Sequence, residues 1–437
     1  MRRHWFAGIA FCGAVGSAAC SSSSDGSNPP AGSGATSSGG SAAQTGGTSA
    51  GGAGSAGNLG NVAGSLASAG TAGSLGTAGS VGVAGGSSSG VAGAPSGGAG
   101  GTNAMGGSAG ATAGGKEAVC DFSTGLNVAW VKFANDVPNP DLTSFNTIFK
   151  NTHDSGGRIA RWWFHTNGTV TPGYDASGLA QPIQQSHIDG VKAILGAAHN
   201  NGIALNISLW SFDMLQDNAG AAHTNNQALL EKDANRQAYI DNYLTPLVKA
   251  LKGTPGLYSY EIFNEPEGMG PNGWATYRTT EPFIQKTVNW FAAAIHEADP
   301  NVLVTNGAVT FDYCSGASGK TNYYSDAALR ALTGAKQDGI LDFYEVHYYT
   351  QNGISNSPFK NPASYWKLDK KLVMGEFFPD DTDGVAKTDL ISYLFTNGYN
   401  GGWVWAYTEN TKPWPAEQPP LQGVASAHPD AVTCPAP

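Results

Sequence analysis

Two glutamates stand out by their surroundings. Glu265 lies in the run Tyr258-Ser-Tyr-Glu-Ile-Phe-Asn-Glu-Pro-Glu-Gly268, and Glu376 in Lys371-Leu-Val-Met-Gly-Glu-Phe-Phe378. Each run reads as a buried β-strand, rich in aromatic and aliphatic residues. Each is cut by a proline, Pro266 or Pro379. Proline has no N–H for a sheet ladder, so the strand stops there. A carboxylate is thereby delivered to the carboxyl end of a strand, where parallel barrels and open α/β sheets place their ligands. Two such carboxylates suit the cleavage of a sugar acetal. The leaving oxygen is a poor base, so one carboxylic acid must protonate it. A carboxylate on the other side must meet the developing oxocarbenium ion. Asn264, directly before Glu265, supplies an amide for a sugar hydroxyl. Singly, each glutamate has a plainer reading, Glu265 as a loop acid or helix cap and Glu376 as the partner of a lysine such as Lys371. Together, at two strand ends each broken by proline, they are harder to dismiss.

The surrounding chain supplies elements to position them. Strand-like runs fall at 126–131, 159–164, 204–210, 257–263, 302–306, 342–348, 372–377 and 402–406. Helical patterns lie between them at 142–153, 187–200, 226–251, 281–298, 326–332 and 385–395. The second of these closes at Asn201-Gly202, a helix-stop signal. Eight strands alternating with helices predict an α/β fold, a (β/α)8 TIM barrel. A doubly wound open sheet is the runner-up. It usually needs a Gly-rich phosphate loop after its first strand, and 127–135 has none.

Asn264-Glu265-Pro266 at the fourth strand and Gly375-Glu376-Phe377 at the seventh resemble glycoside hydrolase family 5, of the clan of retaining (β/α)8 glycosidases. The resemblance spans roughly 125–407 in the expected order. It implies Glu265 as acid/base and Glu376 as nucleophile. It also implies that Arg161, in Ile159-Ala-Arg-Trp-Trp-Phe164, holds the nucleophile ionised. His347 and Tyr349 match the family's His-x-Tyr at strand six: Tyr349 would touch the nucleophile, and His347 would line the cleft near the acid/base. Trp405 matches the aromatic floor at strand eight, where an indole suits a pyranose face. Many members carry histidine at the end of strand three, but this chain has Trp210, similar to family β-mannanases. The resemblance therefore implies a retaining endo-β-1,4-glycanase acting on plant cell-wall polysaccharide, tilted toward β-1,4-mannan, with no cofactor and no metal. An endo-β-1,4-glucanase of the same family and a non-catalytic carbohydrate-binding barrel are the alternatives.

Other residues carry weaker signals. Trp403 and Trp290 read as packing, and at most one of Trp162 and Trp163 can face the cleft. Trp274, Trp366 and Trp414 are loop candidates for sugar subsites. Asp380, Asp381 and Asp383 form an acidic loop that reads as solvated, with calcium the alternative. His187 and His199 make no zinc spacing with another ligand.

The first 115 residues are of another kind. Arg2, Arg3 and His4 precede a short apolar run and small residues before Cys20, the form of a lipoprotein signal with Cys20 lipidated. Residues 21–115 are nearly all Gly, Ser, Ala and Thr, and 27–115 hold no charge. Such a chain buries too little apolar surface to offset its entropy and reads as a disordered linker. Its r.m.s. span is on the order of 50–60 Å. The domains are thus a signal peptide (1–20), a linker (21–115) and a catalytic barrel (116–437). Export, free or as a bacterial cell-surface or outer-membrane lipoprotein, implies an oxidising compartment. Cys120 and Cys434 flank the barrel, whose ends meet on closure, so the expected disulfide joins them. Cys314 is then a free thiol, though pairing through Cys314 is also open. The net charge of −10, without a basic cluster beyond the first residues, argues against nucleic-acid binding. A monomer acting on a polysaccharide is expected.

Overall fold

The computed structural model describes residues 119–408 and 414–435. The signal peptide, Cys20 and the linker lie outside the described residues. Eight parallel strands close into a barrel in chain order. They are β1 (Ser123–Ala129), β2 (Ile159–Thr166), β3 (Ala204–Ser211), β4 (Leu257–Asn264), β5 (Leu303–Ala308), β6 (Tyr344–His347), β7 (Leu372–Glu376) and β8 (Gly401–Val404). The helices are α1 (Leu142–Asp154), α2 (Gln185–Asn200), α3 (Ala222–Glu231), α4 (Asp233–Tyr239), α5 (Thr245–Leu251), α6 (Glu281–Ala298), α7 (Asp326–Arg330), α8 (Leu390–Thr396) and α9 (Gln418–Ala427). Among the described residues no helix is long and apolar enough to cross a membrane.

Strand alternation sorts the side chains into two cores. On β2, Ala160, Trp162 and Phe164 face the helices, where they join Phe145, Phe149 and Ile194. Ile159, Arg161 and Trp163 face the barrel interior. Along β6 and its flanking residues, Tyr344, Val346 and Tyr348 pack outward, while Phe343, Glu345 and His347 point in. The interior is therefore layered. At its amino end Ile159, Ala204, Tyr258, Leu303, Phe343, Val373 and Trp403 form an apolar plug with Cys120. Above it lies a polar layer of Arg161, Asn206, Glu261 and Glu345, all fully buried. Two glycines make room for those carboxyls. A Cβ on Gly375 would fall 2.3 Å from Glu345 Oε1, and one on Gly307 would fall 2.4 Å from Glu261 Oε1.

The sulfurs of Cys120 and Cys434 are bonded beneath the plug, and Cys314 is a buried free thiol. The expected helix over 226–251 is broken. It begins at Ala222, stops at Lys232, whose ψ of 123° is extended, and widens to a π-turn at Ile240–Leu244. Pro246 opens α5 with no N–H for the ladder, which accounts for the wide turn before it. The helix α9 lies beyond the last helical pattern expected from sequence. It packs on α8 and approaches Thr388 so closely that only Gly423 fits there.

Candidate active site

Glu265 directly follows β4 and adopts the left-handed backbone, φ 46° and ψ 53°. For a residue with a Cβ this costs about 1–2 kcal/mol. The surroundings hold it. Its N–H donates to Gly307 O at 2.8 Å on β5, and Pro266 opens a short 3-10 turn just beyond. This turn aims the carboxyl across the barrel mouth toward Glu376, the last residue of β7. An oxygen of Glu265, an oxygen of Glu376 and a ring nitrogen of His347 lie within 4.8 Å of one another.

Arg161 organises the layer below. Its Nε donates to Glu261 Oε2 at 2.6 Å, and Nη2 to Glu261 Oε1 at 2.6 Å and Asn264 Oδ1 at 2.8 Å. Nη1 donates to Asn127 Oδ1 at 2.8 Å and to Glu376 Oε1 at 2.5 Å. All five of its N–H groups are thus used. Tyr349 OH donates to the other Glu376 oxygen at 2.7 Å. Asn264 Nδ2 donates to Ser211 Oγ at 3.2 Å, which fixes the amide beside Glu265. His347 Nδ1 is 3.0 Å from Glu265 Oε1 and 3.6 Å from Glu376 Oε2.

The two carboxyls differ electrostatically. Burial pushes Glu376 up to about 7, opposed by the Arg161 charge and the Tyr349 hydroxyl. Burial, then the charges of Glu376 and Glu267, hold Glu265 well above the usual carboxylate range. Among the described residues no cation touches Glu265, so it keeps its proton when Glu376 has lost its own. Burial also takes His347 well below the ordinary histidine value, leaving a neutral imidazole.

Aromatic rings wall this mouth. Trp163, Trp405, Trp130, Tyr349 and Phe378 form one cluster. Trp163 and Trp405 lie 5.6 Å apart between ring centroids, and Trp130 and Trp163 5.3 Å. Arg161, Asn264, His347, Tyr349, Trp405 and the two glutamates therefore converge as expected. Trp210 does not. Its indole packs on His165 at 4.5 Å and Tyr239 at 5.7 Å and is 1% exposed, so no face remains for a sugar. Trp366 is likewise no subsite, being stacked on Phe311 at 3.5 Å and fully buried. Trp414 stacks on Tyr407, and half-buried Trp274 packs on Phe212. In the acidic loop, Asp383 accepts from Tyr348 OH at 2.6 Å and Asp381 from the Lys387 N–H at 2.9 Å.

Sequence reading missed three features. Trp130 follows β1, which ends one residue earlier, so it faces the mouth rather than a sheet. Glu267 is buried, takes the Tyr324 hydroxyl and the Val309 N–H, and is pushed up to about 7 by burial. Glu261 and Glu345 were read only as strand residues. Glu345 was findable, because it shares β6 parity with His347, whereas a register shift on β4 hides the inward face of Glu261. Glu261, Glu345 and His347 offer ligand atoms within 4.8 Å of one another. Arg161 already fills the cationic position among these acids, with Nε 3.0 Å from Glu345 Oε1. A metal ion there would meet a fixed positive charge.

A parallel barrel with two carboxyls whose nearest oxygens lie within 4.8 Å at its carboxyl mouth fits the retaining (β/α)8 glycosidases, whose carboxyls stand about 5–5.5 Å apart against about 6.5–9.5 Å for inversion. The family model described as Cellulase (glycosyl hydrolase family 5) matches residues 118–410, and the chain belongs to that family. It is 34% identical over 313 residues to the "Mannan endo-1,4-beta-mannosidase" of Mytilus edulis, covering 66% of this chain and 84% of that protein. It is 32% identical over 313 residues to the protein of the same name from Cryptopygus antarcticus, covering 65% and 80%. The X-ray structure of the blue mussel β-mannanase superposes with a TM-score of 0.65 at 32% identity, over 70% of this chain and 92% of that one.

Proposed function

We propose that the chain is an endo-β-1,4-mannanase that works by double displacement, with Glu376 as nucleophile and Glu265 as acid/base. The observation that carries the assignment is the unequal bonding of the two carboxyls. Glu376 accepts from Arg161 and Tyr349, which favours its ionised form and holds one oxygen pair toward the anomeric carbon. Glu265 has no guanidinium or phenol donor among the described residues, only the neutral His347 ring at 3.0 Å, and sits under the charge of Glu376, which favours its acid form. Glu376 attacks while Glu265 protonates the departing oxygen. Glu265 then takes a proton from water as water releases the glycosyl-enzyme, so the anomeric configuration is kept. Asn264, held by Arg161 and Ser211, presents its remaining N–H toward a sugar hydroxyl. The Trp163–Trp405 wall offers its faces to a pyranose ring.

The preference for mannan rests on the relatives at 32–34% identity rather than on Trp210, which is packed away from the mouth. Assay on galactomannan, glucomannan and carboxymethylcellulose tests it. Mannan-backbone cleavage in mid-chain with first-formed β-product is expected, and cleavage of carboxymethylcellulose alone overturns the substrate. We also propose export as a monomeric lipoprotein anchored at Cys20, which the Cys120–Cys434 disulfide supports as an oxidising-compartment feature. Cys20→Ala should move the protein from the membrane fraction to the soluble one.

A further inference from the structure

Glu345 is a buried acid with no part in the chemistry above. It lies two residues before His347 on β6, on the same inward face, and is fully buried. Its Oε2 accepts from Asn206 Nδ2 at 3.4 Å. Its Oε1 has no hydrogen-bond partner, and neither has His347 Nε2. Glu345 Oε1 lies 3.0 Å from Arg161 Nε, an ion-pair contact outside hydrogen-bond geometry, and faces His347 Nε2 at 3.9 Å. Leaving either unpaired in the interior costs about 1–3 kcal/mol, and one shared proton satisfies both once the gap closes to about 3 Å.

The neighbours decide who holds that proton. Among the described residues Arg161 on β2 is the one cation here, and Glu261 on β4, Glu376 on β7 and Glu345 all lie within ion-pair distance of it. Every Arg161 N–H is directed at Glu261, Glu376, Asn127 or Asn264, and none at Glu345. Among the described residues Asn206 on β3 is its one hydrogen-bond donor and is shared with Glu261. On the far side of the ring, Nδ1 faces the oxygens of both Glu265 and Glu376. A bare ring nitrogen there would meet two acceptors, whereas an N–H would satisfy them.

We propose that Glu345 is a positioning residue: a neutral carboxylic acid that donates to His347 Nε2 and so fixes the imidazole as the Nδ1–H tautomer. That N–H then holds Glu265 Oε1 through both half-reactions and leaves the other Glu265 oxygen to carry the proton exchanged with substrate and water. Burial, followed by the charge of Glu261, holds Glu345 well above the usual carboxylate range, in line with a neutral acid. The inference rests on Glu265 as acid/base, but its test does not.

The tautomer is read directly by long-range proton–nitrogen NMR of the wild-type protein, with His347 identified by its loss in His347→Gln. The unprotonated nitrogen shift should belong to Nε2, and finding it at Nδ1 overturns the proposal whatever the activity. Glu345→Leu should lower kcat about 10- to 100-fold with KM little changed, and Glu345→Gln, which keeps a donor and adds no charge, should recover most of that loss. If Glu345→Gln instead moves the alkaline limb of the pH profile down by a full unit, Glu345 is an anion in the wild type and the proposal falls. Loss of activity in Glu265→Gln tests the acid/base assignment separately.

Discussion

The two ends of the barrel are made by the same eight strands and do opposite work. At the amino end the inward residues are Ile159, Leu303, Phe343, Val373 and Trp403, closed from below by Cys120 and its disulfide. Two to four residues further along the same strands the inward positions are Glu261, Glu345, His347 and Glu376, with one arginine among them. The lower plug gains from burial alone, at about 25 cal/mol per Å² of apolar surface. The upper layer holds acids out of water, which is costly unless hydrogen bonds and one guanidinium offset it. Stability is therefore concentrated at one end and reactivity at the other.

The separation can be broken by mutation, and the largest effect is expected at the mouth. Glu376→Gln should lower kcat by on the order of 10⁴-fold or more while the melting temperature holds or rises, because a buried charge is replaced by a neutral isostere. A variant that is inactive because it unfolds would count against the separation. Next come two changes at the plug. Trp403→Ala, which also removes the bond to Ser123 Oγ, should cost about 3–5 kcal/mol of stability. Cys434→Ser should cost about 2–5 kcal/mol. Both should leave kcat/KM unaltered below the new melting point, as followed by denaturant unfolding and by assay.

Two smaller effects sharpen the picture. Tyr349→Phe removes a donor from Glu376, so protonation becomes easier and the acid limb of the pH–rate profile should move to higher pH, with kcat down about 10- to 100-fold. Glu267→Gln should act through pH. The folded Glu267 carboxyl is pushed up to about 7, above its unfolded value of about 4.3. The folded state thus binds the extra proton, and wild-type stability falls as pH rises between those values. The variant should lose that part of the decline, by a few degrees in thermal melts. Its activity should show an alkaline limb moved slightly down, since the charge that helps hold the Glu265 proton is gone.

Much of this was readable in the chain. Proline after Glu265 and Glu376 marked the strand ends, Arg161 two residues into its strand had the parity of the interior, and the pairing of Cys120 with Cys434 followed from closure. What escaped depended on contacts distant in sequence. Pairing of β2 with β3 shifts between Trp163 and Thr166, opposite Trp210. Such a slip reassigns faces, and alternation counted along β3 alone cannot reveal it. The π-turn within 226–251 precedes Pro246, which was visible but outweighed by a sustained apolar pattern, while the break at the extended Lys232 has no such marker. The acids Glu261 and Glu345 sit in strands otherwise apolar, and their purpose emerges only when β4 and β6 are placed around Arg161 of β2.

Arg161 has no N–H to spare, and its partners stand on β1, β4 and β7. Those strand ends are clamped as a single piece, so a lineage drifting toward a new sugar cannot nudge one of them without loosening the rest. Its room for invention is confined to the loops around the rim, while the cutting geometry is inherited whole.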